Sequence, residues 1–392
     1  MKRAEERRRA RLNAAFIFTL TATSAAAGVE TSLPQALWLG APSGPTSARE
    51  VDASGTRHAA ALPVPDRARV AWQRRLAAGV SGNLLVDADG RIFAPGLRRV
   101  TELAPDGSPR HELEAPFTAC VAAALLADGT RAVLTREGRV IGWTEAGARA
   151  LQAELPVPPP TASSALVPLP DGGLLVASGR WLFVFDASRG SPLYASTPVA
   201  IAHVRLVQER VLLIDERGRV LEWVRNGAPR VLGELSGPAA AVLGDGERLV
   251  ALTGSRALET LDLASGRVRQ HARFDAPGPL PLLALAEPGS WVLLGPDGDW
   301  LVLGASPAPP ARLRPSRDAG GRRDAQLLVD AGGVVAQWGS NRPLVLSSAA
   351  GERTLPGVRC SDPVSLVPAG EGRLLAACGS GALWAIDSGP AP

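Results

Sequence analysis

Eight times in this chain an apolar run, a short polar turn and a second apolar run follow one another. The phrases are "LLVDADGRIFAPG" from Leu84, "AVLTREGRVIGW" from Ala132, "LLVASGRWLFVFD" from Leu174, "LLIDERGRVLEW" from Leu212, "LVALTGSRALETLD" from Leu249, "WVLLGPDGDWLVLG" from Trp291, "GVVAQWGSNRPLVLS" from Gly333 and "LLAACGSGALWAID" from Leu374. Their turns centre on Gly90, Gly138, Gly179, Gly218, Ser255, Gly298, Asn341 and Gly381, at successive spacings of 48, 41, 39, 37, 43, 43 and 40. A strand–turn–strand unit recurring at that period is the pattern of β-propeller blades. The local chemistry agrees, because glycine and asparagine accept the positive φ of tight hairpin turns. The flanking runs are apolar at consecutive positions as well as alternating ones, which suits strands covered on both faces.

Each unit carries two further pieces. An apolar run lies upstream, as in "ALVPLPDGG" from Ala165, "AAVLGDGE" from Ala240 and "VSLVPAGEG" from Val364. A turn and a more polar run lie downstream, as in "DASRGSPLYAS" from Asp186, "DLASGRVRQHARF" from Asp262 and "SAAGERTLPG" from Ser348. Four strands per unit result. The eighth unit stops at "WAIDSGPAP" without its fourth strand, while "ARVAWQRRLA" (Ala68 to Ala77) precedes the first hairpin without a unit of its own. The expectation is an all-β, eight-bladed propeller of four-stranded antiparallel blades, with Ala68–Ala77 closing the ring as the outermost strand of the last blade and Trp72 packing inward. Closure of this kind removes open sheet edges. Seven blades is the alternative count, because the seventh phrase and the 48-residue spacing fit the pattern least well.

The first 65 residues read differently. "MKRAEERRRAR" is basic, and an apolar stretch follows it that ends in Ala25-Ala26-Ala27 before Gly28, the arrangement of an export signal with cleavage between Ala27 and Gly28. Residues 1–27 are therefore expected to be a signal peptide, with an uncleaved membrane anchor as the alternative. Residues 28–65 are rich in Pro, Ala, Ser and Gly without periodicity and are expected to be a flexible linker. The propeller domain is assigned to 66–392. The formal charge of +4 lies in the signal, so the remainder balances, and the basic surface of a nucleic-acid binder is not expected. The chain has a single Lys against 41 Arg, a composition of GC-rich coding rather than an arginine code.

The units resemble the repeats of pyrroloquinoline-quinone-type β-propellers. "SGALWAIDSG" (Ser380 to Gly389) carries the resemblance best, with "DASRGSPLY", "DLASGRV" and "RVAWQ" beside it. Asp186, Asp262 and Asp387 keep the family's aspartate before the last turn, and most units lack its closing tryptophan. The resemblance implies the fold over about residues 66–392. In the quinone-dependent enzymes of the family it further implies a quinone under a disulfide of adjacent cysteines, stacked on Trp, with calcium held by Asn, Asp and Glu. Here Cys120, Cys360 and Cys378 are never adjacent, and beyond the signal the asparagines are Asn83, Asn226 and Asn341 alone. No cofactor and no quinone chemistry are expected.

Local motifs add little chemistry. His58, His111, His203 and His271 match no metal spacing and read as isolated surface or loop histidines. Asp87-Ala88-Asp89-Gly90 and Asp297-Gly298-Asp299 resemble pieces of calcium loops but lack the EF-type spacing, and hairpin turns account for them. Trp143, Trp223 and Trp384 read as packing between blades. No catalytic, cofactor-binding or metal-ligating residue is assigned. Cys360 and Cys378 flank the first hairpin of the eighth unit, where a disulfide between them and a buried free thiol are equal readings. The functional expectation is a monomeric, periplasmic or secreted, non-catalytic propeller that binds a protein or envelope ligand through its loops. The alternatives are a lyase- or hydrolase-type propeller enzyme with a site built from several blades, and an envelope-assembly factor.

Overall fold

The structure is a computed structural model that describes residues 58–389 apart from 60–61, 88, 115–119, 127, 156–163, 170–171, 187–188, 225–227, 275–281, 288, 295–299, 305–325, 331–332, 349–350 and 371. The expected signal peptide, its expected cleavage point at Ala27–Gly28, most of the expected linker, Asn226 and the Asp297-Gly298-Asp299 stretch lie outside these residues. No helix among the described residues is long and apolar enough to cross a membrane.

Eight antiparallel sheets follow one another along the chain, so the ring has eight blades and not seven. Blade 1 comprises Leu85–Val86, Ile92–Pro95, Arg99–Leu103 and Pro109–Glu114. Blade 2 comprises Cys120–Leu125, Arg131–Thr135, Arg139–Trp143 and Arg149–Glu154. Blade 3 runs from Ser164–Pro168 to Arg189–Ser196, blade 4 from Ile201–Val207 to Arg230–Glu234 and blade 5 from Ala239–Asp245 to Val268–Arg273. Blade 6 shows three strands among the described residues, from Leu282–Glu287 to Trp300–Gly304. Blade 7 begins at Gln326–Asp330 and ends with Gly351–Cys360; blade 8 holds Pro363–Pro368, Arg373–Cys378 and Ala382–Ser388. First strands of adjacent blades touch one another, which places them around the central channel and the fourth strands on the rim.

The consecutive apolar runs have a geometric cause. Side chains alternate across a strand, so neighbouring residues of one strand enter opposite seams between blades. In blade 4, Val211 and Leu213 pack toward blade 3, while Leu212 and Ile214 pack toward blade 5. Eight apolar clusters fill eight seams, and the last, between blades 8 and 1, closes the circle. Each fully buried Leu or Ile in such a seam contributes roughly 1.5–3 kcal/mol. Trp143 lies in the seam between blades 1 and 2, Trp223 against that between blades 3 and 4, and Trp384 meets Trp338 edge-on at 5.9 Å between blades 7 and 8.

Ring closure follows the sequence reading. Ala68–Arg75 pairs antiparallel with Ala382–Ser388, from Ala68 opposite Ser388 to Arg75 opposite Ala382. The next residue confirms that this strand is the missing fourth one. Leu76 N–H donates to Gly381 O at 2.8 Å, as Leu155 N–H does to Gly138 O in blade 2 and Leu235 N–H to Gly218 O in blade 4. Trp72 is half-buried, and its indole N–H donates to Pro105 O of blade 1 at 3.2 Å. The indole covers Gly107, where φ is 81° and a Cβ would lie 2.8 Å from the ring. Arg74 and Arg373 donate to Gly107 O and Pro105 O, so blade 8 grips the last turn of blade 1 with three donors.

Two sequence expectations change. "LLVDADGRIFAPG" spans the first and second strands of blade 1, whereas the phrases of the other described blades span second and third strands. The equivalent turn is Gly96-Leu97-Arg98, with Arg98 at φ 66° and 40 residues before Gly138, which removes the long first spacing. The cause is shared chemistry. Asp87 accepts the N–H groups of Asp89 and Arg91 just as Asp215 in blade 4 accepts those of Arg217 and Arg219, so two different turns acquire the same letters. The second change concerns the linker. His58–Ala59 pairs parallel with Val329–Asp330, Leu62 is buried between blades 7 and 8, and Pro63 and Pro65 are buried. The end of the expected linker is thus built into the ring, because Leu62 finds an apolar seam and its N–H finds the Asp330 carboxylate at 2.8 Å.

Candidate functional site

Antiparallel pairing puts the second-to-third turns and the blade-to-blade connections on one face of the ring. The first-to-second and third-to-fourth turns lie on the other. On the first face, the turns of blades 1–4 expose Arg98, Arg136, Arg180 and Arg217, and that of blade 5 presents the half-buried Arg256. Arg180 and Arg256 are braced from below: their Nε atoms donate to Thr197 O and Phe274 O at the ends of their own fourth strands. Two large apolar side chains stand among these cations, Leu97 at 52% exposed and Trp181 at 44%. Glu137 and Glu216 occupy the same turns, so the patch is mixed in charge and rich in arginine. The repeat alone does not reveal this patch; its letters do, as an arginine within each of these turns, once topology assigns the turns to one face.

The same face carries Cys360 and Cys378, joined as a disulfide between blades 7 and 8 with Cα atoms 5.9 Å apart. Exposed Asp362 lies over it, with Oδ1 2.9 Å from Cys378 Sγ and 3.4 Å from Cys360 Sγ. Gly379 makes room for that carboxylate, since a Cβ there would lie 2.4 Å from Asp362 Oδ2. Two sulfurs and a carboxylate within 4.8 Å form a set of metal-ligating atom types. Sulfurs joined to each other carry no thiolate charge, and the thiolate is the form that binds a metal.

On the opposite face, the carboxylates at the seam between blades 1 and 2 are paired with arginine. The Asp87-Asp89 turn is a hairpin closed by Gly90 N–H donating to Asp87 O, and Arg91 reaches Asp87, Asp89 and Glu145 together. Beneath it Arg131 is 2% exposed, its guanidinium 3.9 Å from the centre of the Phe93 ring, and it donates to Thr144 O at 2.9 Å. Its buried counter-charge is Glu102, 1% exposed, at 3.7 Å. Burial holds the Arg131 pKa below the usual arginine value, against the pull of Glu102. The fragment resembling a calcium loop is therefore part of an ion-paired seam between blades 1 and 2.

The histidines are dispersed. His111 is exposed on the fourth strand of blade 1, and His58 lies on the two-residue strand beside blade 7. His203 and His271 depart from the surface expectation. His203 is buried on the first strand of blade 4, donates from Nε2 to Ala239 O at 3.0 Å and is pushed down to about 4, mainly by burial and then by Arg205. His271 bonds Thr260 Oγ1 at 2.9 Å and meets Trp291 edge-on; burial lowers its pKa as well. The remaining cysteine, Cys120, is buried, and burial pushes its thiol up to about 12, far from a reactive thiolate. Asn83 and Asn341 stand in different blades, Asn83 buried at the entry to blade 1 and Asn341 in a turn of blade 7 at φ 59°. They do not converge on a common centre.

No protein-family model and no curated protein matches the chain. Solved structures do. The computationally designed Ika8 protein aligns with a TM-score of 0.65 at 12% identity, over 80% of this chain and 98% of its own. BamB from Moraxella catarrhalis aligns at 0.61 and 16% identity, over 82% and 99%. Virginiamycin B lyase from Staphylococcus aureus aligns at 0.51 and 10% identity, over 82% and 99%. At these identities the likeness is one of fold, and a fold shared by BamB and a lyase assigns no chemistry.

Proposed function

We propose that the chain is an exported, non-catalytic propeller that binds a protein or other envelope ligand on the face formed by the second-to-third turns of blades 1–4. The observation that carries this reading is exposed Trp181 and Leu97 standing among Arg98, Arg136, Arg180 and Arg217. Trp and Arg are the side chains that dominate binding hot spots, because both combine a large apolar body with directed hydrogen bonds. Three groups able to do acid–base or nucleophilic chemistry support it from the other side: His203, His271 and Cys120 are each engaged or buried within the seams. Export is supported by the signal-like N-terminal sequence and by the Cys360–Cys378 disulfide, a bond that persists in oxidising compartments.

Photo-crosslinking residues placed at Arg136 and Trp181, and at Asp106 and Ser265 on the opposite face, test the reading in the cell of origin. Discrete crosslinked products from 136 and 181, absent from 106 and 265 and abolished by adding Arg217→Glu, are expected. Crosslinks from 106 and 265 instead, or none from 136 and 181, would overturn it.

A further inference from the structure

His58–Ala59 occupies an unusual place. Blade 7 has five strands, and the added one pairs with Gln326–Asp330, the first and innermost strand, on the side away from the rest of its sheet. That side faces the central channel. The added strand also touches Leu282–Glu287, the innermost strand of blade 6. The pairing is parallel, His58 opposite Val329 and Ala59 opposite Asp330. This short strand therefore runs away from the face that carries the arginine turns. It leaves beside Asp330, whose carboxylate takes the Leu62 N–H. A strap then crosses to the rim: Leu62 in the seam between blades 7 and 8, Val64 N–H on Ser388 Oγ at 2.8 Å, and Arg67 O accepting Gly389 N–H at 2.9 Å before the closing strand begins.

An inner strand edge presents a row of backbone donors and acceptors that an extended segment can satisfy. Only two residues join the ladder, so this strand is held chiefly by the strap from Leu62 to Arg67.

We propose that the inner edge of Gln326–Asp330 is a strand-accepting site filled in cis by His58–Ala59, which any other extended ligand of this edge must displace. This does not rest on the binding reading above, because an enzyme of this architecture would have the same strand edge occupied. Cleavage after Ala27 would leave the strap whole.

Hydrogen exchange read by mass spectrometry tests it, on the full chain, on the full chain with Ala59→Pro, and on a chain beginning at Leu62. The second removes a backbone donor without shortening the protein; the third keeps the Leu62 anchor and the closing strand. Inward-facing amides of 326–330 are expected to exchange about tenfold faster in both variants, with 282–286 and 363–368 changing less. An excess of the synthetic peptide Thr56–Pro63 is expected to restore slow exchange in the chain beginning at Leu62. Equal exchange at 326–330 in the full chain and the Ala59→Pro variant, or failure of the peptide to restore protection, would overturn the proposal.

Discussion

At the residue scale, polar groups buried in the seams set the sharpest tests. Arg131 and Glu102 are buried together between blades 1 and 2, and removing one partner of such a pair leaves a charge out of water. Arg131→Met is expected to lower unfolding stability by roughly 3–5 kcal/mol, and Arg131→Met with Glu102→Gln to recover a large part of it, both read from urea midpoints. His203 gives a pH signature. Its Nδ1 has no acceptor among the described residues, and its folded pKa of about 4 lies below the ordinary 6.5. The unfolded chain therefore binds a proton that the folded one refuses, so stability falls as pH drops from 6.5 toward 4, by about 3 kcal/mol in all. His203→Gln keeps a donor for Ala239 O and should lose that component; urea melts at pH 7 and pH 4.5 of both proteins check it. Neither feature was legible beforehand. Glu102 and His203 look like ordinary polar letters in "RVTEL" and "IAHVRLV", and burial follows from which seam a strand position faces, a property of the ring.

At the element scale the turns carry the information. An oxygen-bearing side chain ends the second strand of several blades and receives the N–H groups of its own turn: Asp215 takes those of Arg217 and Arg219, Thr135 that of Arg139, Thr253 that of Ala257. Side-chain capping of this kind, with glycine at positive φ, makes "DERGR" and "TREGR" readable as turns from sequence alone. It also misplaces the first phrase by one hairpin, because Asp87 caps a first-to-second turn with the same chemistry. Asp215 is buried and additionally holds the Arg219 guanidinium at 2.7 Å. Asp215→Ala should cost about 1–3 kcal/mol, since two part-buried donors and a cation lose their acceptor. Asp215→Asn, which keeps the acceptor oxygen for the turn, should cost less; thermal melts of the two variants rank them. The exposed Arg and Trp of the candidate face belong to this scale too: each letter was visible, but their sharing a face depends on strand order.

At the scale of the whole molecule, the repeat count and the missing eighth fourth strand were enough to read the ring and its closure. The strand His58–Ala59 was not legible, because the letters around it carry neither strand alternation nor turn signals and its pairing follows from the edge it meets. Closure has an energetic consequence that single blades do not have. Each of the eight seams is shared by two blades, so opening the seam between blades 8 and 1 exposes apolar surface on both and leaves two free edges. Trp72 sits at that seam with its indole over Gly107, its N–H on Pro105 O, and Arg74 and Arg373 beside it. Trp72→Ala is expected to lower stability by roughly 2–4 kcal/mol. Because loosening one seam loosens the circle, the variant should still unfold in a single transition shifted to lower urea, without an early step confined to blade 8. Removing residues 1–77 takes away the strand itself and should yield insoluble protein, whereas a chain beginning at Leu62 should stay folded. Separate early unfolding of the Cys360–Ser388 segment by hydrogen exchange in Trp72→Ala, or a soluble, fully protected ring without residues 1–77, would show that closure does not hold the molecule together.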